Sequence, residues 1–269
     1  MKLTVKSALT ARGGSNTLKT CMHINTLADR LRSLLPSAVW ELFRKGANGV
    51  LAPVHFSLET GHLRSALASR AMDRRGNPLP WFTYSAIQFL LMKNFRNRTV
   101  LEWGAGQSTL FWASRASSVL SMEGDPEWIK SLSARVPSNV SLHQVGLDLA
   151  DAEPLLQGRR FDIVVCDGLD RYRCAARSVD LITPDGAVII DNSDGNQGPK
   201  PGFGFIDLYR QSGFRRIDFY GYPPGNTVQQ CTSILFRENC FLLSGDENPW
   251  PPLSYWEYPP EVVAKWQSE

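Results

Sequence analysis

Residues 98–112 read RTVLEWGAGQSTLFW, and their order decides the fold. Thr99 to Trp103 is a short apolar run holding one carboxylate, Glu102. It passes directly into Gly104-Ala105-Gly106 and then into a helix-like stretch opened by Ser108 and Thr109. Strand, glycine turn and helix in that order make the first unit of a doubly wound α/β sheet, and the carboxyl end of such a strand borders a ligand crevice. A carboxylate on an apolar strand is costly unless something compensates it, so its presence beside a glycine turn points to a ligand there.

The same rhythm continues downstream. SVLSMEG (118–124), NVSLHQVG (139–146), RFDIVVCDG (160–168) and GAVIIDNSD (186–194) read as strands. QSTLFWASRA (107–116), PEWIKSLSARV (126–136), RYRCAARSVDLI (171–182) and FIDLYRQSGF (205–214) read as the intervening helices. RFDIVVCDG is a continuous apolar run of the buried parallel type. The last two strands, FRRIDFYGY (214–222) and QQCTSILFR (229–237), are joined by PPGNTV. That link is too short for a crossover helix, so they must be antiparallel neighbours. The expected fold class is therefore α/β: a doubly wound, mostly parallel seven-stranded sheet ending in an antiparallel β-hairpin, with a helical N-terminal extension.

A chain of 269 residues, 43% hydrophobic and 20% charged, can bury a full core. Three regions are expected: 1–80, a basic and largely helical extension; 81–240, the ligand-binding domain; and 241–269, a strap rich in Pro and Trp. In the extension, residues 26–45 carry Leu27, Leu31, Leu34, Leu35, Val39, Leu42 and Phe43 near helical spacing, with Pro36 in the middle. Further helices are expected over 61–72 and 84–94. Residues 1–98 carry a net charge of +11 and residues 99–269 one of −8. This is read as two solvated surfaces that attract each other, or as a basic face for a membrane surface or another anionic partner. No run approaches the ~20 apolar residues of a membrane span, and the first 20 residues read as a basic arm rather than a secretory signal. The five cysteines form no CxxC pair, which points to reduced thiols and a cytoplasmic setting.

The acids fall where strands end. Beside a diphosphate Glu102 would be repulsive; beside an ammonium or sulfonium it is attractive. S-adenosylmethionine carries both cations and a carboxylate, which the helix N-terminus after Gly106 suits. Glu123, 19 residues beyond Gly104, is placed to accept the hydroxyls of a ribose. Asp148 is either a contact to an adenine amino group or a surface loop acid. His143 reads as a packed histidine, and Trp81, Phe82 and Tyr84 as a pocket wall or as core.

VLEWGAGQST, MEGD, FDIVVCDG and the closing hairpin together resemble the class I, seven-stranded S-adenosylmethionine-dependent methyltransferases, over residues 80–237. The resemblance implies S-adenosylmethionine as cofactor, held by Glu102, Gly104, Ala105, Gly106, Gln107, Ser108, Glu123, Gly124, Asp148 and Asp167. Ser108 stands at the usual third glycine and reads as a helix cap. The catalytic candidates are Asp167, Asp170 and Asp191. Asp167, Asp191 and Asn192 are also similar to the Mg²⁺ ligands of catechol-type O-methyltransferases, where the ion orients a substrate hydroxyl. Those enzymes place a lysine shortly after the first Asp, whereas GLDRYR supplies Asp170 and arginines here. The other reading of Asp191-Asn192-Ser193-Asp194 is a turn.

The implied activity is methyl transfer to a hydroxyl of a small molecule, sugar or lipid-linked glycan, with no nucleic-acid partner. Two other readings stand beside it. One is an NAD(P)-dependent oxidoreductase, against which Glu102, Ser108 and the final hairpin argue. The other is a non-catalytic module of this fold holding an anionic partner. The oligomeric state is not legible in the sequence.

Overall fold

The structure is a computed structural model; it describes residues 36–146, 148–168, 170–195 and 204–244. The basic arm, the helical pattern before Pro36 and the strap beyond residue 244 lie outside the described residues. Chain contacts group into two units, divided between Phe56 and Ser57. Helix α1, Ser37–Glu59, starts directly after Pro36, where a residue without an N–H fits best. It extends well past the expected end at residue 45. Among the described residues no helix is long and apolar enough to cross a membrane.

The larger unit contains one seven-stranded sheet of order β3-β2-β1-β4-β5-β7-β6. Its strands are β1 Thr99–Trp103, β2 Ser118–Glu123, β3 Val140–Gln144, β4 Phe161–Cys166, β5 Ile182–Ile190, β6 Arg215–Gly221 and β7 Gln230–Phe236. The first five run parallel; β7 pairs antiparallel with β6, as the short PPGNTV link requires, and inserts antiparallel between β5 and β6. The strand order reverses between β1 and β4, so the crevice opens at their carboxyl ends.

Strand alternation divides the core in two. Val100, Val119, Ile163, Val165, Ala187, Ile189 and Ile234 point to one face. There they meet Ala86, Ile87 and Leu90 of α3 (Tyr84–Leu91) and Phe111 and Trp112 of α4 (Gln107–Ala113), after α2 (His62–Ala68). Leu101, Trp103, Leu120, Met122, Val164, Cys166, Val188, Ile190 and Leu235 point to the other. That face is covered by Leu156 of α6 (Glu153–Leu156), Cys174 and Ala175 of α7 (Arg171–Ser178) and Tyr209 of α8 (Gly204–Gln211). Helix α5, Pro126–Ser133, connects β2 to β3; Pro126 is its first residue and Asp125 caps it through the N–H groups of Glu127 and Trp128.

Two local readings needed adjustment. β5 begins at Ile182, four residues before the expected Gly186, and its pairing with β4 slips between Phe161 and Ile163. The Thr183-Pro184-Asp185 stretch hides the strand signal. Helix α6 has only 4 residues, too few to show a period.

Candidate active site

The turn after β1 is built by hydrogen bonds from beneath. Glu102 lies on the face of β1 opposite Leu101 and Trp103, so it points under α4 and is fully buried. One oxygen, Oε2, accepts from Thr109 Oγ1 at 2.5 Å and from Ser121 Oγ at 2.6 Å. Thr109 Oγ1 in turn accepts from the Gly106 N–H at 2.9 Å. Oε1 has no hydrogen-bond partner among the described residues. Glu102 lines neither cavity described below. This corrects the expectation that it faces the ligand: the two-residue period of the strand turns it into the layer under α4, where it anchors the loop through Thr109. The sequence reading missed Thr109 and Ser121 as its partners.

Burial pushes the Glu102 carboxyl from its ordinary 4.5 up to about 7, against the opposing pull of the Ser108, Ser121 and Thr109 hydroxyls. The folded chain therefore binds more protons than the unfolded chain between those two values. This contribution to stability is fully present below pH 4.5 and is lost as pH rises through about 7. The loss is on the order of 3 kcal/mol. Urea melts between pH 4 and pH 8 should show this slope, and Glu102→Gln should flatten it; an unchanged slope in the variant would place the titration elsewhere.

The two glycines of the turn differ. Gly104 has φ +97°, and a Cβ there would lie 2.8–2.9 Å from the backbone of Asp167 and Gly168. The constraint comes from the loop after β4, not from a ligand. Gly106 is extended, with φ 178°, and the nearest atoms to a Cβ there are 4.0 Å away.

Glu123 ends β2 with one carboxylate oxygen on the turn after β1 and the other on the loop after β2. Oε2 accepts from the Ala105 N–H at 3.0 Å, and Oε1 from Gly124 at 2.7 Å and Asp125 at 3.0 Å. Two cavities meet at Gly104, Glu123 and Gly168. The narrower is a mostly apolar slot between Trp103, Met122, Val145, Leu149 and Cys174, with Gly124 and Gly146 on its walls. The wider has a volume of about 760 Å³. It is lined by Ala105, Gly106, Gln107 and Ser108 of the turn and by Asp167, Arg171, Asp191 and Asn192. The lining also includes Pro223 and residues that the sequence did not single out, Arg70, Asp125, Trp128, Asn226 and Gln230, together with Trp81, which it did. The Trp128 indole N–H donates to Ala105 O at 2.6 Å and the Trp81 indole N–H to Pro224 O at 3.1 Å.

The three catalytic candidates separate. Asp167 and Asp191 share the wide cavity. Asp170 does not join them: it caps α7 by accepting from the Arg173 N–H at 3.0 Å, pairs with the Arg173 guanidinium at 3.2 Å, and borders the narrow slot. A residue at the helix cap turns its carboxylate toward the first-turn N–H groups. Asp148 likewise accepts from the Ala150 N–H at 3.2 Å, and it lines neither cavity, although its neighbours Gly146 and Leu149 line the narrower one. His143 bonds Ser141 Oγ at 2.6 Å on β3, away from both cavities.

Asp191 is buried. Its Oδ1 accepts from Thr232 Oγ1 at 2.7 Å, and Gln230 Nε2 donates to Oδ1 at 3.1 Å and Oδ2 at 2.8 Å. Gln230 Nε2 also reaches Trp81 O at 2.9 Å, so one amide ties the acid to Trp81. These partners sit on β7, which the sequence places far from Asp191 and the antiparallel insertion brings beside it. Burial, then the neighbouring Asp167 charge, push Asp191 well above the carboxylate range. Burial also raises Asp167, while the Arg171 guanidinium, 2.9 Å away, draws it back.

The donor set does not fit Mg²⁺. Arg171 Nη2 donates to both Asp167 Oδ1, at 2.9 Å, and Asn192 Oδ1, at 3.0 Å, while Asp191 is engaged by β7. At the Asp167, Asp191 and Asn192 set expected for Mg²⁺, an arginine side chain stands between two of the three acceptors.

No family model and no curated protein matches this sequence. Solved structures do. The O-methyltransferase TomG from Streptomyces achromogenes, in complex with SAM, is 18% identical over 64% of this chain and 89% of its own, with a TM-score of 0.45. Cofactor-bound Rv0187 from MTB is 21% identical over 69% of this chain and 95% of its own, with a TM-score of 0.47. By its own topology, six strands in one direction with β7 inserted antiparallel between β5 and β6, this chain has a seven-stranded, Rossmann-like α/β fold.

Proposed function

We propose that this chain is an S-adenosylmethionine-dependent methyltransferase that acts on a hydroxyl acceptor. The observation that carries the reading is the junction of two unlike cavities at Gly104, Glu123 and Gly168. An apolar slot with a carboxylate at its mouth suits a nucleoside: the base enters between Met122, Val145 and Leu149, and the ribose diol meets Glu123. The Gly104 to Ser108 turn would then hold the amino-acid end. Bound there, S-adenosylmethionine supplies an electrophilic methyl group.

The chain's own part is to orient the acceptor and take its proton. Asp167 is the base in this reading: burial raises its carboxyl, but Arg171 favours its ionised form, whereas Asp191 holds its proton more tightly. The Asp167 carboxylate accepts the hydroxyl proton. The exposed indoles of Trp81 and Trp128 lining the wide cavity suit an acceptor with a ring, whether an aromatic compound or a sugar. Glu123 would suit the adenosine ribose of a nicotinamide dinucleotide equally; what disfavours an oxidoreductase is Asp167, whose carboxylate lines the wide cavity where a pyrophosphate would lie.

Calorimetry with S-adenosylmethionine, S-adenosylhomocysteine and NADH tests the cofactor; binding of NADH alone would end the proposal. Transfer of an isotope-labelled methyl group into phenols and sugars identifies the acceptor class, and incorporation only into amines would refute the hydroxyl reading. Glu123→Ala should raise the Kd for S-adenosylhomocysteine more than tenfold, since charge-assisted hydrogen bonds are worth about 1.5–3 kcal/mol. Equal affinity would remove Glu123 from the ribose.

A further inference from the structure

The disagreement between the acids and a metal ion carries a further reading, which rests on the methyltransferase proposal for the same site. Arg171 is the first residue of α7, and its side chain is 19% exposed. The Asp170 cap fixes the start of that helix, and so fixes where the Arg171 side chain leaves the backbone. The guanidinium reaches across the mouth of the sheet from the loop after β4 to the loop after β5, donating to Asp167 Oδ1 and Asn192 Oδ1. Asn192 has φ +49°, a left-handed conformation that is uncommon outside glycine, though asparagine tolerates it best. Such strain persists where the surroundings hold it, and it concentrates at functional sites. Here it accompanies an amide oxygen aimed at the guanidinium.

A Mg²⁺ ion needs oxygen ligands at about 2.0–2.1 Å. Bridging Asp167 and Asn192, it would take the position of Arg171 Nη2. Arginine does not give up its proton to make room, and two cations cannot share that gap. We propose that Arg171 is the resident cation of this site: it stands in place of a divalent ion, the acceptor oxygen docks against its guanidinium beside Asp167, and the reaction needs no metal. The pairing selects for a hydroxyl, which accepts an N–H bond from Arg171 with its oxygen lone pair while giving its proton to the Asp167 carboxylate. A protonated amine has no lone pair to offer and meets a like charge.

The test titrates the full-length protein with Mn²⁺, read by electron paramagnetic resonance, in the presence and absence of S-adenosylhomocysteine. The wild type should show no site tighter than about 1 mM. Arg171→Met releases the oxygens of Asp167 and Asn192 and should gain a Mn²⁺ site at least about tenfold tighter, a gain that Asp167→Asn added to it abolishes. If Arg171→Met does not fold, Arg171→Gln answers the same question. A tight Mn²⁺ site in the wild type that Asp167→Asn removes would overturn the proposal, as would an arginine variant that folds and still binds no Mn²⁺. So would labelled-methyl transfer that stops in EDTA and returns with Mg²⁺. Failure of the wild type to bind S-adenosylhomocysteine would instead count against the methyltransferase reading, leaving the Mn²⁺ result to decide the role of Arg171.

Discussion

Asp167→Asn should lower kcat by about 10²–10⁴-fold, the usual worth of a positioned general base, while the Kd for S-adenosylmethionine stays within about threefold. The amide keeps the shape of the side chain and a hydrogen-bonding oxygen for Arg171, so the loop is kept and only proton acceptance is lost. Methyl transfer from labelled S-adenosylmethionine, measured on whichever hydroxyl compound takes up most label, reads the first quantity, and calorimetry the second. The pH profile adds a sign. The base must be ionised, so kcat/KM should climb with pH through the Asp167 pKa, which burial raises above 3.8. Removing the cation in Arg171→Met should move that limb to higher pH, because the guanidinium is what draws the carboxyl down. An Asp167→Asn enzyme of normal turnover would shift the base to Asp191 or to solvent.

The second large effect is on stability, and it separates two residues that look alike in the sequence. Gly104→Ala should cost about 3 kcal/mol or more, combining a non-glycine residue at φ +97° with a Cβ 2.8–2.9 Å from the backbone of the loop after β4. For a chain of this size that corresponds to a fall in Tm of roughly 6–12 °C. Gly106→Ala should change stability by less than about 1 kcal/mol, since its backbone is extended and its Cβ would meet nothing closer than 4.0 Å. Thermal melts of the two variants side by side decide the matter. Equal losses would mean that the turn, rather than the approach of the β4 loop, sets the requirement.

Both predictions depend on the point where the strand order reverses. Gly104 and Gly168 follow β1 and β4, the two strands on either side of the reversal, and their backbones come close enough that neither loop has room to shift independently. Asp167 and Arg171 are carried on the same segment as Gly168. A disturbance at Gly104 should therefore reach the catalytic candidates, and S-adenosylhomocysteine binding by Gly104→Ala should suffer along with its stability.

The sequence by itself determined the secondary structure of the sheet and its closing hairpin. Apolar runs of four to six residues, capped helices and a six-residue link too short for a crossover are local features, and local features survive in one dimension. It also placed Glu123, Asp167 and Asp191 at the wide cavity, because strand ends are legible and doubly wound sheets open their crevice there. The tertiary structure alone decided which atoms those acids face. The two-residue period sends Glu102 beneath α4 instead of into the cavity, a helix cap claims Asp170, and the antiparallel insertion of β7 brings Gln230 and Thr232 to Asp191 from about forty residues away. Whether three acceptor groups hold a metal or an arginine is a matter of which side chain fills the space between them. Sequence spacing carries no record of that, because Arg171 opens α7 just after the loop that carries Asp167, and reaches Asn192 only once the sheet has brought the β4 and β5 ends together.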